Sequence, residues 1–296
     1  MKINPRNRIL ILISLGLFVG SLLIVDSAPK FNKKEIDSNA FLRTSQISGK
    51  IYIDNNWTDT KNAGLCTGSG TLTDPYVIED LVIDANNTGS CILITNSNVY
   101  FKIENCTLIN SGTEIVDSGI SLINVEYAEI SNNTILNNYM GVSLYNSHNN
   151  IIHSNFLDDN SIDIRFSHSN NTLVYLNDCV SPDLNLFFYN STFLCRTLKK
   201  ITYTYEGNSF TEYLGNYWNN YGGNDNDNDG IGDVAYTFYN SHVVHVDRYP
   251  LMQTTDHYSI QSSEIIPGYN LYLFIGTIFM ILFIMLNKKN KKAKIS

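Results

Sequence analysis

The sequence predicts an all-β chain, a right-handed parallel β-helix in coils of about 22 residues, with a hydrophobic segment at either end. Three observations predict it. First, Gly119-Ile120-Ser121-Leu122 is followed 22 positions later by Gly141-Val142-Ser143-Leu144. The same step then brings Asp163-Ile164-Arg165-Phe166 and Asn185-Leu186-Phe187-Phe188. Second, apolar and polar residues alternate over only three to five positions, as strands do, and Asn, Ser and Gly clusters separate these runs. Third, the period is too short for helix-pair repeats of about 34 residues and fits one turn of a β-solenoid. A leucine-rich repeat is the nearest rival solenoid, but its Leu-rich consensus is missing.

The chain divides in order. Residues 1–28 carry Lys2, Arg6 and Arg8 before an apolar run from Ile9 to Val25, the pattern of a signal peptide or an uncleaved signal anchor. Residues 29–75 form an entry and cap segment, and residues 76–204 the coils. In the coils, Ile130, Ile152 and Val174 make one apolar column and Ile135, Leu157 and Cys179 another. Asn133, Asn155 and Asn177 share a third column, which predicts an asparagine ladder at a corner, with Cys106 taking the Asn place in the longer coil before Gly119. About six coils at ~4.8 Å spacing give a rod near ~30 Å. Inward columns are Ile120–Val142–Ile164–Leu186 and Leu122–Leu144–Phe166–Phe188, and the outward positions between them are Ser121, Ser143, Arg165 and Phe187. Residues 205–252 form a C-terminal cap with an Asp-rich loop, and 253–264 a linker. Residues 265–287 are apolar enough for a transmembrane helix, and the tail 288–296 carries Lys288, Lys289, Lys291, Lys292 and Lys294. A lysine block there belongs on the cytoplasmic side, which places the body outside the cytoplasm, extracellular or periplasmic.

Without Met1–Ala28 and the tail after Leu286, the body holds 12 basic and 27 acidic residues, a formal charge of 12 − 27 = −15. Such a surface argues against nucleic acid as a partner. It favours cations, glycans or surface proteins, with the membrane as the anchoring partner. Asn-x-Ser/Thr sequons at Asn56, Asn86, Asn105, Asn132, Asn170 and Asn190 suit a glycosylated surface protein, although an Asn-rich chain yields some by chance. The five cysteines, Cys66, Cys91, Cys106, Cys179 and Cys195, are odd in number and lack CxxC pairing. They read best as buried free thiols.

The coils resemble the parallel β-helix repeats of the periplasmic copper-binding NosD family and of related carbohydrate-binding and sugar-hydrolase surface proteins. The entry segment Gly70-Thr71-Leu72-Thr73-Asp74-Pro75-Tyr76-Val77-Ile78-Glu79-Asp80 is similar to the first coil of such proteins. The exit pieces Gly215-Asn216-Tyr217-Trp218-Asn219-Asn220-Tyr221, Asn224–Asp233 and Asp247-Arg248-Tyr249-Pro250-Leu251-Met252 are similar to their closing motif. The resemblance spans roughly residues 50–252 and implies the fold far more firmly than any activity.

Three chemistries compete. Asp225, Asp227 and Asp229, with Gly230, the Ile231 carbonyl and Asp233, space oxygen ligands as a calcium loop does, except that Tyr236 stands where an EF-hand has Glu. An acidic, solvated loop is the plain alternative. Copper, implied by the resemblance, needs His, Cys or Met ligands close together. The histidines are His148, His153, His168, His242, His245 and His257, and their spacing reads as scattered surface residues. A polysaccharide lyase or glycoside hydrolase needs carboxylates on neighbouring coils, and Asp158, Asp159 and Asp163 with Arg165 are the sole candidate patch. Solvated turn residues explain them as well. The reading preferred from sequence is therefore a non-catalytic binding or structural surface module.

Overall fold

The computed structural model describes residues 46–240 and 243–260. The signal-like segment, the apolar stretch 265–287 and the lysine tail lie outside the described residues. Among the described residues, no helix is long and apolar enough to cross a membrane.

Three parallel sheets wall a solenoid of about five turns. Wall one stacks Gln46–Ser48, Leu81–Asp84, Thr107–Ile109, Thr134–Leu136, Phe156–Asp158, Asp178–Cys179 and Tyr217–Trp218. Wall two stacks Ile51–Asp54, Ile92–Ser97, Ser118–Val125, Met140–Tyr145, Ile162–Ser167 and Leu184–Tyr189. Wall three stacks Tyr76–Glu79, Phe101–Glu104, Ala128–Ser131, Ile151–His153, Thr172–Tyr175 and Phe193–Leu194. The 22-residue columns pair as the sequence predicts. Val142 faces Ile120 and Ile164, Ile152 faces Ile130 and Val174, and Ile135 faces Leu108 and Leu157.

Residues with positive φ, most of them asparagines, mark where the strands stop. At the ends of the wall-two strands stand Asn96 and Asn124, each the last-but-one strand residue, and Asn146, His168 and Asn190 just past the strand, all with φ between 46° and 56°. Wall-three strands end at Asp80, Asn105, Asn132, Ser154 and Leu176, and wall-one strands at Asn110, Asn137 and Asp159, again with positive φ. Short polar side chains tolerate the left-handed conformation because they bond the backbone locally. Three such corners per coil turn a run of short strands into a closed, three-walled coil.

The core is a dry stack. Ile120, Val142, Ile164, Leu122, Leu144 and Phe166 are all 0% exposed, and each such side chain contributes on the order of 1.5–3 kcal/mol. The expected asparagine ladder lies at the corner between walls three and one. Asn133 Nδ2 donates to Asn155 Oδ1 (3.0 Å), Asn155 Nδ2 to Asn177 Oδ1 (2.9 Å) and Asn177 Nδ2 to Asn216 Oδ1 (2.9 Å). At its start Asn133 Oδ1 accepts the Cys106 backbone N–H. A serine ladder runs at the corner between walls two and three, where the backbone N–H groups of Val125, Ser147 and Ser169 donate to Ser147, Ser169 and Ser191 hydroxyls. Satisfying corner backbone inside a dry wall avoids a cost of ~1–3 kcal/mol per orphaned group. All five cysteines are free and buried.

The ends of the stack differ from the spacing read in the sequence. Ile51–Asp54 of the entry segment already pairs with Ile92–Thr95. At the other end the chain leaves the stack: Ile201–Tyr205 pairs antiparallel with Asn208–Glu212 and with Tyr258–Ile260. It returns at Tyr217–Trp218, where Trp218 sits beside Cys179 in wall one. A second core of Leu176, Ile201, Tyr203, Tyr205, Leu214, Ile231, Leu251 and Tyr258 lies at this end. Trp218, fully buried, packs with Tyr236 and Phe238.

Candidate functional site

The Asp-rich loop is held by the aromatic cap. Tyr203 Oη donates to the Asp229 carbonyl (2.9 Å) and Tyr258 Oη to the Gly230 carbonyl (2.5 Å). Gly230 has φ +87°, and a Cβ there would meet the Tyr205 and Tyr258 rings at 2.8 Å, so no other residue fits. Pinned this way, Asp225, Asp227 and Asp229 place one carboxylate oxygen each within 4.8 Å of one another. Asp225 also accepts from the Asp229 and Gly230 N–H groups, and Asp229 from Ile231 N–H (2.7 Å). Burial, and then the charges of Asp227 and Asp225, push the Asp229 carboxyl above its ordinary value, against the Ile231 hydrogen bond. Asp233 is engaged differently: its Oδ2 accepts the backbone and side-chain N–H of Asn226. Ile231 bridges to Leu251 in the cap.

The sequence-level catalytic patch is not brought together as a site. Asp163 is 0% exposed and lies inside a polar corner, where Asn160 Nδ2 and Asn185 Nδ2 donate to it at 3.0 Å and Ser181 Oγ adds a short bond. In the coil before, Gly141 occupies this column, and a Cβ there would press on Leu157 and Asn160. Ser181 replaces the asparagine of earlier coils at this corner, and that smaller side chain meets the Asp163 carboxylate. Asp158 and Asp159 lie at the outer turn, where Asp158 Oδ1 accepts the Asp159 N–H. Arg165 lies on wall two and donates to Ser143 Oγ (3.4 Å). Ser121 and Ser143, outward by alternation, are each only 3% exposed. Five of the six sequon asparagines are exposed and Asn170 is half-buried. Asn86, Asn105, Asn132 and Asn190 occupy left-handed turn positions, which explains the recurrence of Asn there without any sugar.

Sequence reasoning missed two buried carboxylates that finish the stack. Asp247, 0% exposed, ends the asparagine ladder: its Oδ2 accepts Asn216 N (2.9 Å), Asn216 Nδ2 (3.3 Å) and Trp218 Nε1 (3.0 Å), and its Oδ1 accepts Tyr249 N (2.9 Å). Asp178 accepts Thr255 N and Oγ1 at 2.8 and 2.7 Å. Burial pushes Asp163, Asp178 and Asp247 up to about 6 despite these donors. The signal for Asp247 lay in the closing motif, but nothing in the spacing tied it to a ladder ending 31 residues earlier.

Among the described residues, the histidines do not converge on one another. His148 Nδ1 accepts Asn170 N–H, His153 bonds Glu129 and Ser154, and His245 Nε2 bonds the Ser191 carbonyl. His168 lies between the Tyr145 and Tyr189 rings, and His257 pairs with Asp256. His242 lies outside the described residues. Burial pushes the Cys91 thiol up to about 12 and Cys106 to about 11, and raises Cys179 and Cys195 strongly. Thiolate is the form that binds metal. Among the described residues, the side chains that gather three His, Cys, Asp or Glu ligands are Asp225, Asp227 and Asp229, a hard oxygen set suited to calcium rather than to copper.

The family model described as periplasmic copper-binding protein (NosD) matches residues 32–223. No curated protein matches the chain, and no solved structure does.

Proposed function

Because the chain belongs to the NosD family of periplasmic copper-binding proteins, we propose that it is an extracytoplasmic β-helix, tethered to the membrane through residues 265–287, that serves as a non-catalytic binding or structural surface module. The observation that carries this reading is the fate of the carboxylates. Asp163 and Asp247 are spent on the interior corners of the stack, and Asp158, Asp159 and Arg165 do not converge with Asp163 on one surface. A glycosidase needs two carboxyl groups flanking one bond. Incubating the full chain with a panel of polysaccharides tests it. Retention of a glycan without new reducing or unsaturated ends is expected, whereas turnover would establish the hydrolase or lyase alternative. The tether has its own check: in intact cells an impermeant amine label should spare Lys288–Lys294 and reach lysines of the body, such as the exposed Lys61.

Calcium at Asp225, Asp227 and Asp229 is part of the proposal, since three clustered carboxylates repel one another until a divalent ion joins them. At ~100-fold excess over Kd such binding stabilises by about 2.7 kcal/mol. Calcium should raise the melting temperature, EDTA should lower it, and Asp227→Ala with Asp229→Ala should abolish the response. No response at millimolar calcium would leave only an acidic turn.

Copper handling is the second reading, favoured by the family description. Metal analysis after desalting separates the two, because one copper retained per chain would favour the second.

A further inference from the structure

The C-terminal cap has a cationic edge in an otherwise acidic body. Of the eight lysines and arginines among the described residues, Arg196, Lys199 and Lys200 lie within five positions of the chain, and Arg248 lines the same cleft as Arg196. Lys200 Nζ bonds Glu212 (2.7 Å), the residue opposite Ile201. Arg196 lies 4.1 Å over the Tyr213 ring, and Tyr213 packs on Tyr249, next to Arg248. Arg196, Tyr213, Arg248 and Tyr249 share one cleft of about 500 Å³. Among the described residues, Arg196, Lys199 and Arg248 have no carboxylate within ion-pair distance. Leu198, 69% exposed, lies between Arg196 and Lys199 in the chain.

The direction of the last strand selects what this edge meets. Tyr258–Ile260 runs antiparallel to Ile201–Tyr205, with Tyr205 opposite Tyr258 and Tyr203 opposite Ile260. The chain therefore leaves Ile260 heading toward the Ile201 end, where Leu198, Lys199 and Lys200 precede the strand. The apolar run starts at Ile265, five positions on, a reach of at most ~18 Å even if fully extended. Gly230, which follows the Asp225–Asp229 loop, touches the opposite end of the same strand, at Tyr205 and Tyr258.

We propose that the Arg196–Lys200 and Arg248 edge, with Leu198 at its centre, seats on an anionic phospholipid surface. This rests on the reading that residues 265–287 span the bilayer. Guanidinium and ammonium groups take the phosphates while an apolar side chain enters the headgroup boundary. The rest of the body, net acidic, is repelled by the same surface, so one edge is selected.

The test uses the full chain in vesicles of brominated phosphatidylcholine, alone or mixed with phosphatidylglycerol. Leu198→Trp supplies the reporter, because the native Trp57 and Trp218 are buried and their emission reports the fold. Several-fold stronger quenching is expected in the mixed vesicles, falling with salt and lost when Arg196→Glu, Lys199→Glu and Arg248→Glu are added. Tyr52→Trp, exposed on the first strand of wall two, should stay unquenched in both. If the chain washes off the vesicles at alkaline pH, the tether is wrong and the docking falls with it. If the chain is retained but the Leu198→Trp reporter is unquenched, or is quenched equally without phosphatidylglycerol, the docking alone is overturned.

Discussion

Leu144→Asp is expected to abolish the cooperative thermal transition, while Ser143→Asp, one position along the same strand, melts within a few degrees of the parent. Leu144 is 0% exposed and stacks between Leu122 and Phe166. Even Leu144→Ala would cost about 2–5 kcal/mol through the cavity it leaves. A carboxylate adds the penalty of a buried, unpaired charge, several kcal/mol more, which approaches the whole stability of an ordinary domain. Ser143 is nearly as buried, so solvent does not explain its tolerance. The reason is Arg165, whose Nη1 already reaches Ser143 Oγ and would meet the new carboxylate. Equal melting curves for the two variants would refute the register, and Arg165→Gln should remove the tolerance of Ser143→Asp.

Acidification from pH 7 to pH 5 is expected to raise the melting temperature. Asp163, Asp178 and Asp247 stand at about 6 in the folded chain against ~3.9 for a free aspartate. Between these values the folded form holds protons that the unfolded form has released. The stabilisation is therefore complete below pH ~4 and is lost as pH rises through ~6, on the order of 3 kcal/mol for each group. The groups facing Asp163 and Asp247 through hydrogen bonds are neutral amides, hydroxyls, indole and backbone N–H, so no cation opposes the trend there. Glu129 works the other way at the acid end. Burial would raise it, but hydrogen bonds from His153 and Lys102 outweigh that and hold it below its usual range. Its contribution is present above the free-glutamate value and lost as pH falls below it. A profile flat between pH 5 and 7 would overturn the assignment, and Asp163→Asn should reduce the slope whatever it does to the absolute melting temperature.

The coils were legible because parallel stacking copies one register upward without slip. A side chain at Ile120 dictates what fits at Val142, Ile164 and Leu186, so the step of 22 survives in the sequence. The ladder amides Asn133, Asn155 and Asn177 were legible for the same reason. Their fourth member was not: Asn216 comes 39 residues after Asn177, because the antiparallel hairpin Ile201–Glu212 leaves the stack between them and destroys the period. Asp163, which sequence groups with Asp158, Asp159 and Arg165, is instead buried at an inner corner. Its column mates are Gly119 and Gly141, where a Cβ would clash, and only folding brings Ser181 against the Asp163 carboxylate. The loop alternation of Asp225, Asp227 and Asp229 was visible, whereas the engagement of Asp233 with Asn226 depends on how the loop closes.

The asparagine ladder also has a sense of direction. From Asn133 to Asn216 every amide donates toward the same end of the solenoid, so four side-chain dipoles line up head to tail, as peptide dipoles do along an α-helix. The accumulated positive pole falls at Asn216, and Asp247 sits against it with a carboxylate. This makes the column a polarised wire with a fixed terminator. The solenoid can gain or lose length only by whole coils inserted upstream of Asn216. An excised block of 22 residues, 142–163 for example, removes Asn155 and should hand Asn133 directly to Asn177. A coil appended beyond Asp247 would find no amide to continue the current.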